Sequence, residues 1–365
     1  MTHTDASGLT ADGSPELPAV DFPALQWRSA GPADLDAWAA LIARTAAVEE
    51  PVWFERRADL EQIMESKNNP VGPNTVLGLD SDGVPRAYAR VTKNKEGAKA
   101  HGFCAVDPQW QRRGVGSALL SWLEARTRQR FAEDAGAGQD SAGPDNAVQG
   151  TAGPDGALPD SAGPVPRLRL FTEQKQQHQC VLLAESGYEV VRYYNEMHRL
   201  LSAPLPEVPL DHGLELVPME PGLSEALRLA HNQVFADHWG SEPRDEESWG
   251  FVVNDPLARP DLSAVVLESR TGEIAGYQLA SYDPDNTVAR GFSEGYTDLL
   301  GVRREFRGRG IAQALLADAM RRFAAAGLDK ASLDVDSENP TGAMALYRKM
   351  GYVPVNTSLA WDKVL

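Results

Sequence analysis

The sequence predicts an α+β protein in which one unit, a mixed and mostly antiparallel central sheet flanked by helices, occurs twice in tandem. Three observations carry this. A glycine-rich loop opening a helical run, Gln111-Arg112-Arg113-Gly114-Val115-Gly116, returns 196 positions later as Arg307-Gly308-Arg309-Gly310-Ile311-Ala312. The pair Gly187-Tyr188 returns 164 positions later as Gly351-Tyr352. The 32 residues by which the two spacings differ match a stretch around Ser141, Thr151 and Ser161 that drifts through SAGPD, TAGPD and SAGPV. Such a composition has too few large apolar side chains to fold alone. At about 150 residues per domain, a chain of 365 residues has room for two units.

Residues 1–23 are rich in Thr, Asp, Gly, Ser and Pro without periodicity and read as a disordered leader. The first copy then covers 24–205, with a flexible insertion at 135–166, and the second covers 212–365. The second copy gives the cleaner pattern. Alternation predicts a strand over 214–219, helical spacing a helix over 223–239, and two apolar runs, 262–268 and 274–282, a hairpin turning near Thr271-Gly272. A longer strand over 292–302 leads into the glycine loop. Ile311, Leu315, Leu316, Ala319 and Phe323 fall at helical spacing, so a helix is predicted over 311–326, stopped by Gly327. A strand over 331–335, a helix over 341–350 and a strand from Tyr352 complete the unit.

Composition narrows the function. No run of about 18 apolar residues and no basic-then-apolar leader is present, so the sequence predicts neither a membrane span nor secretion, and the cytoplasm is the expected compartment. The formal charge of -17 would repel a phosphate backbone, which speaks against nucleic acid and mildly favours cationic acceptors such as amines. Cys104 and Cys180 are too few for a disulfide framework and lack zinc-site spacing, so both are expected in the core. His231 and His238 lie two helical turns apart, yet no third ligand is spaced for a metal, and none is expected.

A strand, a loop with alternating glycines and a helix start form an anion site, because glycine permits close backbone approach and unpaired N–H groups face a phosphate. By itself the loop is equally a tight turn packing a helix on a sheet. It is no Walker loop, since no Gly-Lys-Ser/Thr follows, and Ala312 stands near the third glycine of a dinucleotide fingerprint. The combination is more specific. Arg307-x-x-Gly310-x-Ala312, then Asp336-Ser337-Glu338-Asn339-Pro340, then Ala345-Leu346-Tyr347-Arg348-Lys349-Met350-Gly351-Tyr352 resembles the GNAT superfamily of acetyltransferases over 214–365. That resemblance implies acetyl-CoA as cosubstrate. Its pyrophosphate would be held by Arg307, Gly308, Arg309, Gly310, Ile311 and Ala312, its pantetheine arm by Leu300, Gly301 and Val302, and its thioester end would meet Asn339 and Tyr347. In two-copy members the helix matching 223–239 lies on the acceptor side. By that resemblance Asn232, Phe235, Ala236 and His238, followed by Trp239 and Glu242, would face the acceptor, Glu242 coming later than the acidic residue of those members.

The chemistry explains the residue types. An attacking amine must shed a proton, and a departing thiolate gains from receiving one. Tyr347, a phenol with a reference pKa of about 10, is the fitting acid for a thiol of about 8.5; its other reading is a core tyrosine on the face of Leu346 and Met350. Asp298 and Glu294 lie four apart on one strand, hence on one face, and either is a candidate base or a mere ion-pair partner. Shifted onto the first copy, Tyr347 falls on Leu183, Asn339 on Lys175, Asp298 on Gly102 and Glu294 on Ala98. Only the loop Arg112-Arg113-Gly114-Val115-Gly116 survives there, as a possible second cofactor site in a degenerate copy. The function expected is transfer of an acetyl group to a primary amine of a small molecule. A protein or peptide acetylase and a CoA-binding sensor without turnover are the alternatives, and the oligomeric state is not legible.

Overall fold

The computed structural model describes residues 25–95, 97–140, 165–236, 238–338 and 342–365, with backbone alone at 136–140 and 289. The predicted leader and residues 141–164 of the predicted insertion lie outside the described residues. In chain order the strands are β1 (Gln26–Ser29), β2 (Thr75–Leu79), β3 (Pro85–Lys93), β4 (Ala100–Val106), β5 (Arg167–Glu173) and β6 (Glu189–Leu200), then β7 (Leu214–Pro218), β8 (Ala264–Glu268), β9 (Ile274–Ser281), β10 (Glu294–Val302), β11 (Lys330–Asp336) and β12 (Val353–Val364). The helices are α1 (Leu35–Glu49), α2 (Arg57–Glu65), α3 (Val71–Asn74), α4 (Val115–Asp140) and α5 (Gln177–Glu185), then α6 (Ser224–Val234), α7 (Glu246–Val253), α8 (Pro284–Arg290), α9 (Ile311–Ala325) and α10 (Ala343–Lys349).

Two compact units form, one of Met1–Val191 with Ala360–Leu365 and the other of Arg192–Leu359. In the first, β1 to β4 pair antiparallel in order and β5 joins β4 parallel. Trp38, Leu41 and Leu60 of α1 and α2 bury against Leu77 and Tyr88 of its sheet. In the second, β7 to β10 pair antiparallel in order, β11 joins β10 parallel and β6 joins β11 antiparallel. Helix α9 buries the predicted face, Leu315, Leu316, Ala319 and Phe323, and ends at Gly327 with φ +79°. Beneath the Phe323 ring there is no room for a Cβ, which is why position 295 is glycine.

Several boundaries move. The expected division between copies near 205–212 falls at 191–192 instead, because Tyr194 to Leu200 of β6 pair residue for residue with Asp336 to Lys330 of β11. Residues 135–140, expected in the insertion, continue α4. Helix α6 stops at Val234 rather than near 239. Helices α7 and α8 were not expected. Each is started by an aspartate whose carboxylate accepts from backbone N–H groups, Asp245 from Ser248 and Asp283 from Asp285 and Asn286. Among the described residues no helix is long and apolar enough to cross a membrane.

Candidate active site

The second unit contains a parting of strands. Parallel pairing of β10 with β11 runs from Glu294↔Lys330 to Thr297↔Leu333 and stops, although β10 continues to Val302 and β11 to Asp336. Beyond Thr297, β10 stays paired only on its β9 side, so its other edge offers main-chain groups to an extended ligand. Leu300, Gly301 and Val302, the residues expected to meet a pantetheine arm, lie on this stretch. Gly301 is required there by Tyr277, whose ring would stand 2.7 Å from a Cβ at that position.

The parted edge leads into the predicted loop. Gly308 and Gly310 adopt φ +79° and +73°, values that L side chains rarely take, and nothing lies within 4 Å of a Cβ built on either. Gly310 is the N-cap of α9 and no side chain caps that helix start. Its first N–H groups therefore have no capping side chain, and the helix dipole adds positive potential, a fit for a pyrophosphate. Arg307 returns its Nε to the Val302 carbonyl at 3.2 Å, while Arg309 pairs with Asp211 at 3.2 Å. Ile311 anchors the helix in the core and Ala312 follows it half-buried.

The two candidate bases occupy different surroundings. The β9 register shifts between Thr297 and Leu299, making Asp298 the extra residue of a β-bulge at the parting. Its residue surface is exposed, yet the protein around it is dense enough to desolvate the carboxyl. That desolvation raises it to about 7 against a hydrogen bond from Ser281 Oγ at 2.9 Å, with Asp255 adding repulsion. Glu294 is buried instead and accepts from Arg290 Nη1 at 2.7 Å and from Ser332 Oγ. Shared strand face notwithstanding, the two carboxylates do not form a pair with common partners. Tyr347 on α10 is buried in the core cluster with Met350 and Tyr352, and burial pushes its phenol up to about 12. No described residue hydrogen-bonds its hydroxyl. Asn339 lies outside the described residues.

Sequence reasoning missed the cluster around Glu294, because its members come from β6, α8, β10 and β11. Glu196 Oε1 meets His198 Nε2 at 2.7 Å and Arg290 Nη2 at 2.6 Å, and His198 Nε2 stands 3.5 Å from Glu294. Burial would raise Glu196, but hydrogen bonds from His198 and Arg290 outweigh it and hold the carboxyl below its usual range. Glu196, His198 and Glu294 are close enough to hold a metal ion. Arg290, donating to both carboxylates, already supplies the positive charge that such an ion would bring.

On the expected acceptor side, Trp239 lies under the Arg192 guanidinium, 4.4 Å from its ring centre, and Arg192 pairs with Glu338 just beyond β11. His238 packs on Phe235 at 5.4 Å, and Glu242 is half-buried in the connection to α7. Asn232 does not face a ligand: its amide bridges the backbone N–H and carbonyl of Arg244. His231 is buried, with Nδ1 2.7 Å from the Tyr277 hydroxyl.

The first unit repeats the parted backbone with other side chains at the corresponding positions. Pairing of β4 with β5 covers only Ala100↔Leu168 and His101↔Arg169 before the strands part. Gly114 keeps φ +81°, and Arg112, at the position of Gly308, is forced to φ +60°. Leucines close the space: a Cβ on Gly102 would stand 3.2–3.4 Å from Leu168, Leu123 and Leu170, and one on Gly116 2.9 Å from Leu182. Leu183 is buried and Lys175 donates to the Glu50 carbonyl. Cys104 is exposed, not in the core as expected, because β4 has parted from β5 at that point. Although its surface is exposed, desolvation by the protein packed around the thiol and the nearby Glu49 charge push it up to about 12. Cys180 is half-buried, 3.6 Å from Thr172 Oγ1.

A parted parallel strand pair leading to an uncapped glycine-rich helix start suits an acyl-CoA-dependent acyltransferase, and the protein is of that class. The sequence matches the Acetyltransferase (GNAT) family over residues 38–138 and 224–352, more than half of the chain, and the chain belongs to that family. It is 27% identical over 285 residues to the mycothiol acetyltransferase of Thermomonospora curvata, covering 76% of this chain and 78% of that one. It is also 27% identical over 287 residues to the mycothiol acetyltransferase of Salinispora arenicola, covering 74% and 76%. Among solved structures it resembles a GCN5-related N-acetyltransferase from Sphaerobacter thermophilus (TM-score 0.64, 23% identity, 93% of this chain and 95% of that one). A tandem GNAT protein from the clavulanic acid biosynthesis pathway is similar in fold (TM-score 0.63, 14% identity, 93% and 98%).

Proposed function

We propose that the second unit transfers an acetyl group from acetyl-CoA to a primary amine of a small molecule, by direct attack while both substrates are bound. The observation that carries this is Asp298, a carboxyl held near 7 at the bulge where β10 leaves β11. Acetyl-CoA supplies the activated acyl group and a thiolate to leave. The α9 N–H groups bind its phosphates, and the free edge of β10 at Leu300, Gly301 and Val302 aligns the arm so that the thioester reaches the bulge. An Asp298 oxygen takes the proton of the attacking ammonium, directly or through one water, at a pKa matched to neutral operation. Tyr347, still protonated at neutral pH, offers its hydroxyl hydrogen to the departing sulfur. Trp239, His238 and Glu242 border the acceptor. A small-molecule acceptor is favoured by the two relatives named above, which carry the name of a small thiol.

The test is thiol release from acetyl-CoA with a panel of amino sugars, aminoglycosides, polyamines and peptides. Amine-dependent release is expected, with kcat/KM rising as pH passes upward through about 7 because the base works only when deprotonated. Asp298→Asn should lower kcat about 10²-fold or more and remove that rise. Retained CoA binding with no release for any amine would leave a CoA-binding protein without turnover.

A further inference from the structure

Arg244 differs from most of the other partly or fully buried arginines. Arg90 meets Glu55, Arg126 meets Glu133, Arg169 meets Asp362, and Arg290 meets Glu196 and Glu294. Arg199 and Arg130, in no described ion pair, donate instead to carbonyls, Arg199 to those of Met350, Leu200 and Pro204 and Arg130 to that of Asn68. The half-buried Arg244 side chain bonds one atom among the described residues, His231 Nε2, through its Nε at 3.3 Å, and no described carboxylate lies within ion-pair reach. In a chain with 52 acidic and 35 basic residues an arginine without an acid beside it needs a reason. Its two terminal nitrogens keep their hydrogens for something else.

The group is also fixed in place. Asn232 clamps the Arg244 backbone at 2.8 and 3.0 Å, and Arg228 Nη1 donates to the same carbonyl at 2.9 Å. Burial and the Arg244 charge push His231 down to about 4, so its ring stays neutral and accepts from Arg244. Its Nδ1 then carries the hydrogen given to Tyr277, whose ring presses on Gly301. Tyr277 and Ser281 share parity on β9, and Ser281 bonds Asp298. Arg244 is thus braced over the sheet face that carries Asp298, reached through a residue three positions further along β10, about 10 Å at 3.3 Å per residue.

We propose that Arg244 recognises a carboxylate on the acceptor, so that the preferred substrates are small molecules carrying an amine and a carboxylate several bonds apart. The planar guanidinium presents a fork that pairs with two carboxylate oxygens at once. Asp298 receives the ammonium end and Arg244 the anionic end. This rests on the amine-acetylating reading above and deepens it.

The test compares 6-aminohexanoate with hexylamine as acceptors, and the acetylated products 6-acetamidohexanoate and N-hexylacetamide as ligands by calorimetry in the presence of CoA. Wild type should prefer the carboxylate member by about tenfold or more in both measurements, the scale of a charged hydrogen bond. Arg244→Gln should bring both ratios to about one, and Arg244→Lys should keep part of each, with acetyl-CoA affinity unchanged. Equal treatment of the two members by wild type overturns the proposal. So does an equal loss for both members in Arg244→Gln, which means a structural role, or weakened acetyl-CoA binding, which assigns Arg244 to the cosubstrate. Hexylamine turnover without a carboxylate preference sinks Arg244 alone. Carboxylate-preferring product binding without turnover of either amine supports Arg244 and sinks the amine-acetylating reading.

Discussion

Asp298 and Tyr347 owe their protonation states to the same effect, desolvation, acting on groups with different ordinary pKa values. Desolvation keeps the Tyr347 phenol charged only far above neutrality, at about 12, so it is a donor across the working range. The same effect leaves Asp298 near 7, half converted between acid and base. Tyr347→Phe should therefore lower kcat about 10²-fold with little change in acetyl-CoA affinity, the pattern of a contact made as the thiolate leaves. Its unfolding midpoint should stay within about 2 °C of wild type, since no described residue depends on that hydroxyl. A midpoint that falls while kcat holds would make Tyr347 a core residue only. The sequence singled out both residues as candidates, Tyr347 by its motif and Asp298 by its spacing from Glu294 on the strand. What was not legible was which carboxylate is free: Glu294 and Asp298 look alike four apart, and only the bulge and the Arg290 pairing separate them. Arg244 was equally invisible, because its significance lies in having no described carboxylate within ion-pair reach.

At the scale of elements, the helix start with its alternating glycines reads directly from sequence and folds as expected, with two positive φ values that explain the residue choice. Gly310→Asp should abolish turnover, because a carboxylate placed before the α9 N–H groups repels the pyrophosphate and the backbone angle is strained for any side chain. Gly114→Asp carries the same strain in the first unit and should leave turnover within a few-fold, since Gly102 and Leu183 supply neither base nor acid. Calorimetric counting of CoA sites on both variants checks the pair; collapse of turnover in a folded Gly114→Asp protein would overturn the idea of a silent first copy. The insertion offers a third case. The second copy joins α9 to β11 through residues 326–329 alone, so replacing 141–164 with a short Gly/Ser linker should move the unfolding midpoint by less than about 5 °C. The short helices α7 and α8 escaped prediction although their aspartate caps were visible. Neither has enough apolar periodicity in seven or eight residues to stand out from a loop.

For the whole molecule, the repeat announces two copies but not which residues complete each compact unit. Corresponding strands of two copies have similar patterns, and a pattern does not say which partner a strand chooses. Residues 192–200, counted with the first copy by sequence, complete the second unit, and 360–365 complete the first. Asp362 shows how firmly the latter segment is held. It is buried and receives Arg169 through two bonds, at 2.7 and 2.8 Å. Burial works to raise its carboxyl, but Arg169 and Arg167 lower it below the usual range. A depressed folded pKa stabilises above the unfolded value of about 3.9 and is lost as pH falls through the folded one. Acid unfolding should thus weaken the first unit below about pH 4, and Asp362→Asn should flatten that dependence. Asp362→Ala, which strands a buried guanidinium, should cost about 3–5 kcal/mol in denaturant unfolding. There is also a consequence in time. A ribosome adding about 5–20 residues per second needs roughly 10–30 s to pass from Val191 to Ala360. Throughout that interval the nascent first unit lacks 360–365 and β5 shows an open edge, inviting a neighbouring nascent chain or a chaperone to occupy it.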